Sequence, residues 1–229
     1  MSLIDNIVYY YKFDESSGNA SDSVSSNTLT NTNTVGYGTG IINNGADGGA
    51  TNTSKYFTSS TMAVNLSTGA CTINFWMKPT ASKNTQMVFL MDGNLEFRVG
   101  TRTSDLMWFT RYNGVSAQYR EISVNYDDGS WRMVTATFDG STVKAYINGT
   151  QSGTDLSVTG SGSPGAGSIK VGGYPAFGDE YFTGLIDEVG IWERALSATE
   201  ITELYNSGAG IQYPFTATTN TTNFFAMMM

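Results

Sequence analysis

Phe182-Thr-Gly-Leu-Ile-Asp-Glu-Val-Gly-Ile-Trp-Glu-Arg-Ala-Leu-Ser-Ala-Thr-Glu-Ile-Thr-Glu-Leu-Tyr205 carries two periodicities in succession, first that of a strand and then that of a helix. From Tyr181 to Trp192 the residues alternate. Leu185, Val189 and Ile191 fall on one face, and Ile186, Glu188 and Trp192 on the other. No proline interrupts the run, so an interior strand is expected. Ser197-Ala-Thr-Glu200 has the form of a capping box, with Ser197 accepting from a first-turn amide and Glu200 reaching back to the Ser197 amide. Ile201 with Leu204 or Tyr205 makes an apolar stripe, and Gly208 is expected to supply the left-handed stop. A helix of about three turns is predicted, too short to persist unless it packs on something.

Outward from this segment the chain reads as β-structure. In Ile7-Val-Tyr-Tyr-Tyr-Lys-Phe-Asp14, alternation puts Tyr9, Tyr11 and Phe13 on a common face. The polar stretch from about residue 20 to 50 is rich in glycine and is expected as surface loops, broken by a short strand from Gly40 to Asn43. Its glycines do not form a phosphate loop, because no Lys-Ser/Thr follows them. Short strands are expected at Lys55-Tyr-Phe and Met62-Ala-Val. Thr72 to Lys78 alternates Ile73, Phe75 and Met77 against Thr72, Asn74 and Trp76, and Pro79 ends it. Asp92-Gly93, Asn113-Gly114, Asp139-Gly140 and Asn148-Gly149 mark tight turns between strands. A Gly/Ser loop over 157–167 leads to a strand over 168–172. About a dozen short strands and a late helix predict an all-β, two-sheet antiparallel sandwich spanning residues 1–208, followed by an uncharged segment, 209–229.

The ordered pattern G-L-I-D-E-V-x-I-W-x-R-A-L-S-x-x-E-I-x-x-L-Y resembles the closing segment of laminin-G-like (concanavalin A-like) jelly-roll domains. Tyr10-Tyr-Lys-Phe-Asp-Glu-Ser-Ser-Gly18 is similar to the opening strand of that family. Ile73-Asn-Phe-Trp-Met-Lys-Pro79 is similar to its central strand, and Trp131 through Asn148-Gly149 to its late hairpin. The resemblance covers about residues 8 to 208. It implies a jelly-roll sandwich, in a family whose members often carry calcium through varied ligands.

Composition excludes several chemistries. Twelve basic against twenty acidic residues give a formal net charge of −8, a field that repels nucleic acid. There is no histidine, which removes the common general base and zinc ligand and every Ser-His or Cys-His pair. Cys71 is the sole cysteine, so no disulfide forms within the chain, and it is expected as a small buried strand residue. No stretch approaches the roughly 20 apolar residues of a membrane span. Met1-Ser-Leu-Ile-Asp-Asn-Ile7 lacks the basic start and apolar run of a secretory leader. Synthesis in the cytoplasm and a final place on a virion surface are therefore expected.

Asp187 lies on the face that alternation assigns to the core, and a buried carboxylate needs a partner. The candidates are Arg194, backbone amides, or calcium shared with Asp14. Glycosidases of concanavalin A-like fold carry E-x-D-x-x-E or E-x-D-x-E along a strand, which sets alternate carboxylates on one face. No such spacing occurs here: Asp179-Glu180 and Asp187-Glu188 are adjacent pairs that diverge on an extended strand. Catalysis is not expected. Tyr174, Phe177, Asp179 and Tyr181 in one loop, with Trp108 and Tyr112 on another strand and its turn, have the mixture of aromatic faces and acids that suits sugars; the same aromatics also suit packing on the sandwich's outer face or on another subunit. In the last segment Phe215, Phe224, Phe225, Met227, Met228 and Met229 would be an aggregation hazard if exposed, and are expected to dock on a neighbouring chain. Two functions are thus in view. One is a non-catalytic structural or adhesive module on a bacteriophage virion, engaging other subunits and cell-surface glycans. The other is a bacterial carbohydrate-binding module or part of a glycan-active protein.

Overall fold

A computed structural model describes residues 1–215 except 52–53, 61–68, 81–84, 92–96, 103–105, 113–115, 125, 127, 160–166 and 178–179. In chain order the strands are β1 (Ile7–Tyr11), β2 (Thr30–Thr32), β3 (Gly36–Thr39), β4 (Asn44–Asp47), β5 (Tyr56–Thr58), β6 (Cys71–Pro79), β7 (Gln86–Met91), β8 (Phe97–Arg102), β9 (Leu106–Tyr112), β10 (Ala117–Ser123), β11 (Arg132–Phe138), β12 (Thr142–Ile147), β13 (Thr150–Ser157), β14 (Ile169–Val171) and β15 (Gly184–Trp192). Helix α1 (Ala198–Tyr205) follows. One sheet has the order β13-β12-β11-β6-β15-β4-β3, with β1 also on β15; the other runs β10-β9-β8-β7-β14-β5-β2. All named strand pairs are antiparallel. The all-β, two-sheet expectation holds. Among the described residues no helix is long and apolar enough to cross a membrane.

Alternation explains the inner layer. Tyr9, Tyr11 and Phe13, with Ile73, Phe75 and Met77 of β6, meet Phe89, Phe97, Val99 and Phe109 of the facing sheet in one buried core. Phe75 and Phe89 stack across the layers with ring centroids 6.4 Å apart. Cys71 is fully buried there, and burial pushes its thiol up to about 11. The glycine-rich stretch differs from its expectation: β3 and β4 form a hairpin there, and residues 40–43 are its turn rather than a strand. Its sequences, Gly-Tyr-Gly-Thr and Asn-Gly-Ala-Asp, lack the branched side chains that usually announce strands. The expected strand at Met62-Ala-Val and the Asp92-Gly93 and Asn113-Gly114 turns lie outside the described residues.

The outer face of the β6/β15 sheet is also apolar. Trp76, Met133, Tyr146 and Trp192 pack there with Leu3 and with Leu196, Ile201 and Leu204 of the helical segment. Trp192 is fully buried and its indole N–H donates to the Leu3 carbonyl at 2.7 Å. The capping box forms as expected, with the Ser197 amide 2.9 Å from Glu200 Oε2 and the Glu200 amide 3.3 Å from Ser197 Oγ. Helix α1 has eight residues, shorter than predicted, because Asn206 (φ 45°) and not Gly208 takes the left-handed stop.

Strand β15 departs from simple alternation at one point. Its register on β6 passes from Asp187↔Trp76 to Gly190↔Asn74, a bulge with Glu188 at φ 50°. Beyond it Ile186, rather than Leu185, joins Val189 and Ile191 in the inner core. Asp187 faces outward beside Trp76, not inward, yet is fully buried under the β3–β4 turn. Its oxygens accept from the amides of Ile41 (2.9 Å), Ile42 (3.2 Å) and Glu188 (2.9 Å). Of the three candidate partners the backbone amides are therefore the right one, while Arg194 pairs with Glu200 at 2.6 Å. Gly40 is obligatory above it, since a Cβ would sit 2.4 Å from Asp187 Oδ2.

Glu188 accepts from the Tyr10 hydroxyl and, at 2.7 Å, from Gln212 Nε2, which also reaches Asp14 Oδ2 at 3.0 Å. This ties residues 209–215 onto the sandwich. Phe215, expected at a contact with a neighbouring chain, instead stacks on its own Trp192 at 6.1 Å and meets Tyr10 edge-on at 5.5 Å. The folded unit thus runs past the expected boundary at residue 208 to Phe215. Phe224, Phe225, Met227, Met228 and Met229 lie outside the described residues.

Two outcomes follow for stability. Ser197→Ala removes the cap and lowers unfolding free energy by about 1 kcal/mol, whereas Trp192→Ala costs about 3–5 kcal/mol; urea midpoints at unchanged slope read both. The second concerns pH. Burial pushes the Glu188 carboxyl up to about 7, against the pull of the Tyr10 and Gln212 donors. Burial and repulsion from Glu188 likewise push Asp187 up, against its three amide donors. Between the unfolded glutamate value of roughly 4.3 and about 7 the folded chain keeps a proton that the unfolded chain has lost. Stability therefore falls as pH rises through that window. Glu188→Gln should flatten the fall in urea midpoints across it; an unaltered slope contradicts the assignment.

Candidate functional site

The carboxylates expected to hold calcium do not form a cage for it. Asp187 is committed to three amides. Asp14 accepts from the Asn44 amide (3.3 Å), Asn43 Nδ2 (3.3 Å) and Gln212 Nε2 (3.0 Å). Each of these carboxylates thus already accepts three hydrogen bonds from amide groups. Among the described residues no group of three or more Asp, Glu, Cys or His side chains converges for a metal. The bulge also corrects the expectation that Asp187 and Glu188 diverge: both turn to the outer face and are buried, Asp187 under the β3–β4 turn and Glu188 under the strap of residues 209–215.

The other sheet presents a different surface. Strand β8 alternates Phe97, Val99 and Thr101 inward with Arg98, Gly100 and Arg102 outward. Cross-strand pairing sets Trp108 of β9 beside Gly100, and Thr110 beside Arg98. On β10, Glu121 lies beside Trp108 and Tyr119 beside Thr110. Gly100 is the piece that shapes this face. A Cβ there would come 2.7 Å from Trp108 Cε2 and Nε1, so the indole lies down over the glycine. Its N–H donates to the Thr101 carbonyl at 3.3 Å, which fixes the ring. One face of the half-buried indole is thus spent on the sheet.

Around Trp108 lies a cavity of about 370 Å³, lined by Thr85, Arg98, Arg102, Thr110, Tyr119 and Glu180. Tyr119 is 61% exposed, exceeded among the large apolar side chains of the described residues only by Met1. Arg102 bonds to Glu121. Arg98 lies 5.4 Å from the Tyr174 ring centroid, and the Lys170 ammonium 5.6 Å from the same ring. Glu180 is half-buried; desolvation raises its carboxyl, while Arg98 and Arg102 draw it back. The arrangement offers a flat ring, hydroxyls, cations and a carboxylate in one concavity, the mixture that recognises a polar ring with hydroxyl substituents.

Of the residues expected here from sequence, Trp108 lines the cavity and Tyr174 flanks it through Arg98. Tyr181 is separated from them: it is buried, pairs with Gly173 and Met87, and packs on Tyr56 at 6.1 Å. Asp179 lies outside the described residues, as do the side chains of Phe177 and Tyr112. Arg98, Arg102, Tyr119 and Glu180 were missed. The alternation in Phe97-Arg-Val-Gly-Thr-Arg102 held the signal for the first two, since it exposes both arginines with a glycine between them.

The family model of the concanavalin A-like lectin/glucanases superfamily matches residues 47–202. The Sushi, von Willebrand factor type A, EGF and pentraxin domain-containing protein 1 of Rattus norvegicus is 32% identical over 153 residues. That match takes in 60% of this chain and 4% of the rat protein, so the chain spans a small fraction of its curated relative. Among solved structures, the binding domain of Paraclostridial Mosquitocidal Protein 1 superposes with a TM-score of 0.70 at 17% identity, over 89% of this chain and 52% of that one. The binding domain of Botulinum neurotoxin DC, solved in complex with rat synaptotagmin II, gives 0.72 at 16%, over 90% and 52%. Domain 4 of AbnA, a GH43 extracellular arabinanase from Geobacillus stearothermophilus, solved in complex with arabinotriose, gives 0.62 at 23%, over 86% and 97%. At these identities the likeness to solved structures is one of fold. The chain belongs to the concanavalin A-like lectin/glucanases superfamily.

Proposed function

We propose that this chain is a non-catalytic binding module whose ligand is a saccharide held on the outer face of the β7–β10 sheet. The observation that carries the reading is the Trp108 indole laid flat on Gly100, beside a cavity of about 370 Å³. A pyranose presents an apolar C–H face and a rim of hydroxyls. The indole suits the first; Thr110, Glu180 and the arginines suit the second. The two binding domains among the similar structures, and the arabinanase domain solved with arabinotriose, are in keeping with it. Against catalysis stands the placement of the carboxylates. Asp187 and Glu188 are buried, under the β3–β4 turn and the strap respectively, and among the described residues Glu180 is the carboxylate that lines the open cavity. Hydrolysis by two carboxylates needs both facing one cleft.

A place on a virion, expected from the sequence, draws no support from these relatives, which are a rat multidomain protein and toxin and arabinanase domains. That expectation rests on the leaderless first residues, the lack of a disulfide and the uncharged segment 209–229, and self-association through that segment belongs to this second reading.

The test is a glycan array followed by calorimetry on the best ligand. Trp108→Ala should weaken binding at least tenfold, as removal of a central aromatic anchor does, measured well below the variant's melting temperature so that the chain is folded. Trp108→Phe should retain part of the affinity. Binding that survives Trp108→Ala intact would move the site elsewhere.

A further inference from the structure

The β8 geometry says something about which saccharide the face accepts, and the argument rests on the saccharide reading above. Arg98, Gly100 and Arg102 are alternate residues of one strand, all directed outward. Four residues of strand separate the two arginine Cα atoms by roughly 13 Å, and the Trp108 indole covers the glycine midway between them. A sugar ring stacked on that indole therefore has a guanidinium on each side along the strand. Lys170 adds a third cation to the same face, against the Tyr174 ring.

The charge balance is local and unusual. The whole chain carries −8, with twelve basic residues in all. Among the described residues three of those twelve, Arg98, Arg102 and Lys170, share this outer face, beside the carboxylates of Glu121 and Glu180. Glu121 is engaged by Arg102, yet the Arg102 side chain stays 51% exposed. A neutral saccharide has no use for this many cations. A planar guanidinium fork matches the geometry of a carboxylate, and a charge-assisted contact is stronger than one to a hydroxyl.

We propose that the saccharide bound over Trp108 bears a carboxylate, as uronic and sialic acids do, and that Arg98 and Arg102 receive it. Glu180 acts as the counterweight, limiting how strongly the face draws anions that lack the sugar ring.

The experiment uses the full chain on an array of uronate- and sialate-bearing glycans, each beside its carboxyl-reduced counterpart, with sulfated and neutral glycans included. The expected result is binding to carboxylate-bearing members about tenfold stronger than to their reduced partners, weakening as salt is raised. Arg98→Gln and Arg102→Gln should each bring the ratio of acid to reduced form towards one, with melting temperatures as controls for folding. Glu180→Gln should raise that ratio. Equal binding of acid and reduced forms overturns this inference and leaves the saccharide reading standing. A preference for sulfated over carboxylated glycans overturns the carboxylate assignment in particular. A chain that binds no saccharide on the array overturns the reading and the inference together.

Discussion

Strand β15 has apolar or buried side chains on both faces, and that constraint organises the molecule. Ile186, Val189 and Ile191 go into the layer between the sheets; Trp192 goes the other way. A strand of this kind cannot lie against water on either side. One face is covered by the facing sheet. The other needs the capped helix α1, the N-terminal turn around Leu3 and the strap that ends at Phe215. The bulge at Glu188 marks where β15 exchanges one neighbour, β4, for another, β1. It also turns two carboxylates to the covered face, where amides of the β3–β4 turn satisfy Asp187, and Tyr10 and Gln212 satisfy Glu188.

Among the described residues, no helix or strap covers the outer surface of the opposite sheet as α1 and residues 209–215 cover this one. There the aromatic side chains are not hidden. Trp108 rests on a glycine, and Tyr119 stands out from the edge strand β10. The same two residue types thus have opposite fates in the two sheets. Trp76 and Trp192 are packing elements beneath the helix, whereas Trp108 lies flat on Gly100 and lines a cavity.

Much of this was legible in the residues. Ser197 and Glu200 announced the helix start, because a capping box is a local contact between side chain and backbone. Ile73, Phe75 and Met77 announced β6, because a strand buried between sheets repeats every second residue. The bulge was not legible: Leu185-Ile-Asp-Glu-Val189 reads as uninterrupted alternation, and only pairing to three neighbouring strands shows the extra residue. Strands β3 and β4 escaped because glycines and asparagines make them, and the hairpin is fixed by its neighbours rather than by propensity. At the site, Trp108 was visible as an aromatic beside a turn. The flat placement of its ring was not, because that depends on Gly100 lying opposite it across a strand pair. Tyr181 was grouped with the loop aromatics, yet its pairing with Gly173 buries it.

The central claim is that the open sheet, and not the helix-covered one, meets the ligand. Indole N–H resonances report on it directly, because the four tryptophans, 76, 108, 131 and 192, sample both sides of the sandwich. On titration with a saccharide that binds, the Trp108 signal should shift in proportion to saturation while those of Trp76 and Trp192 stay in place. Shifts at Trp76 or Trp192 with Trp108 unmoved would put the ligand on the wrong face and contradict the account.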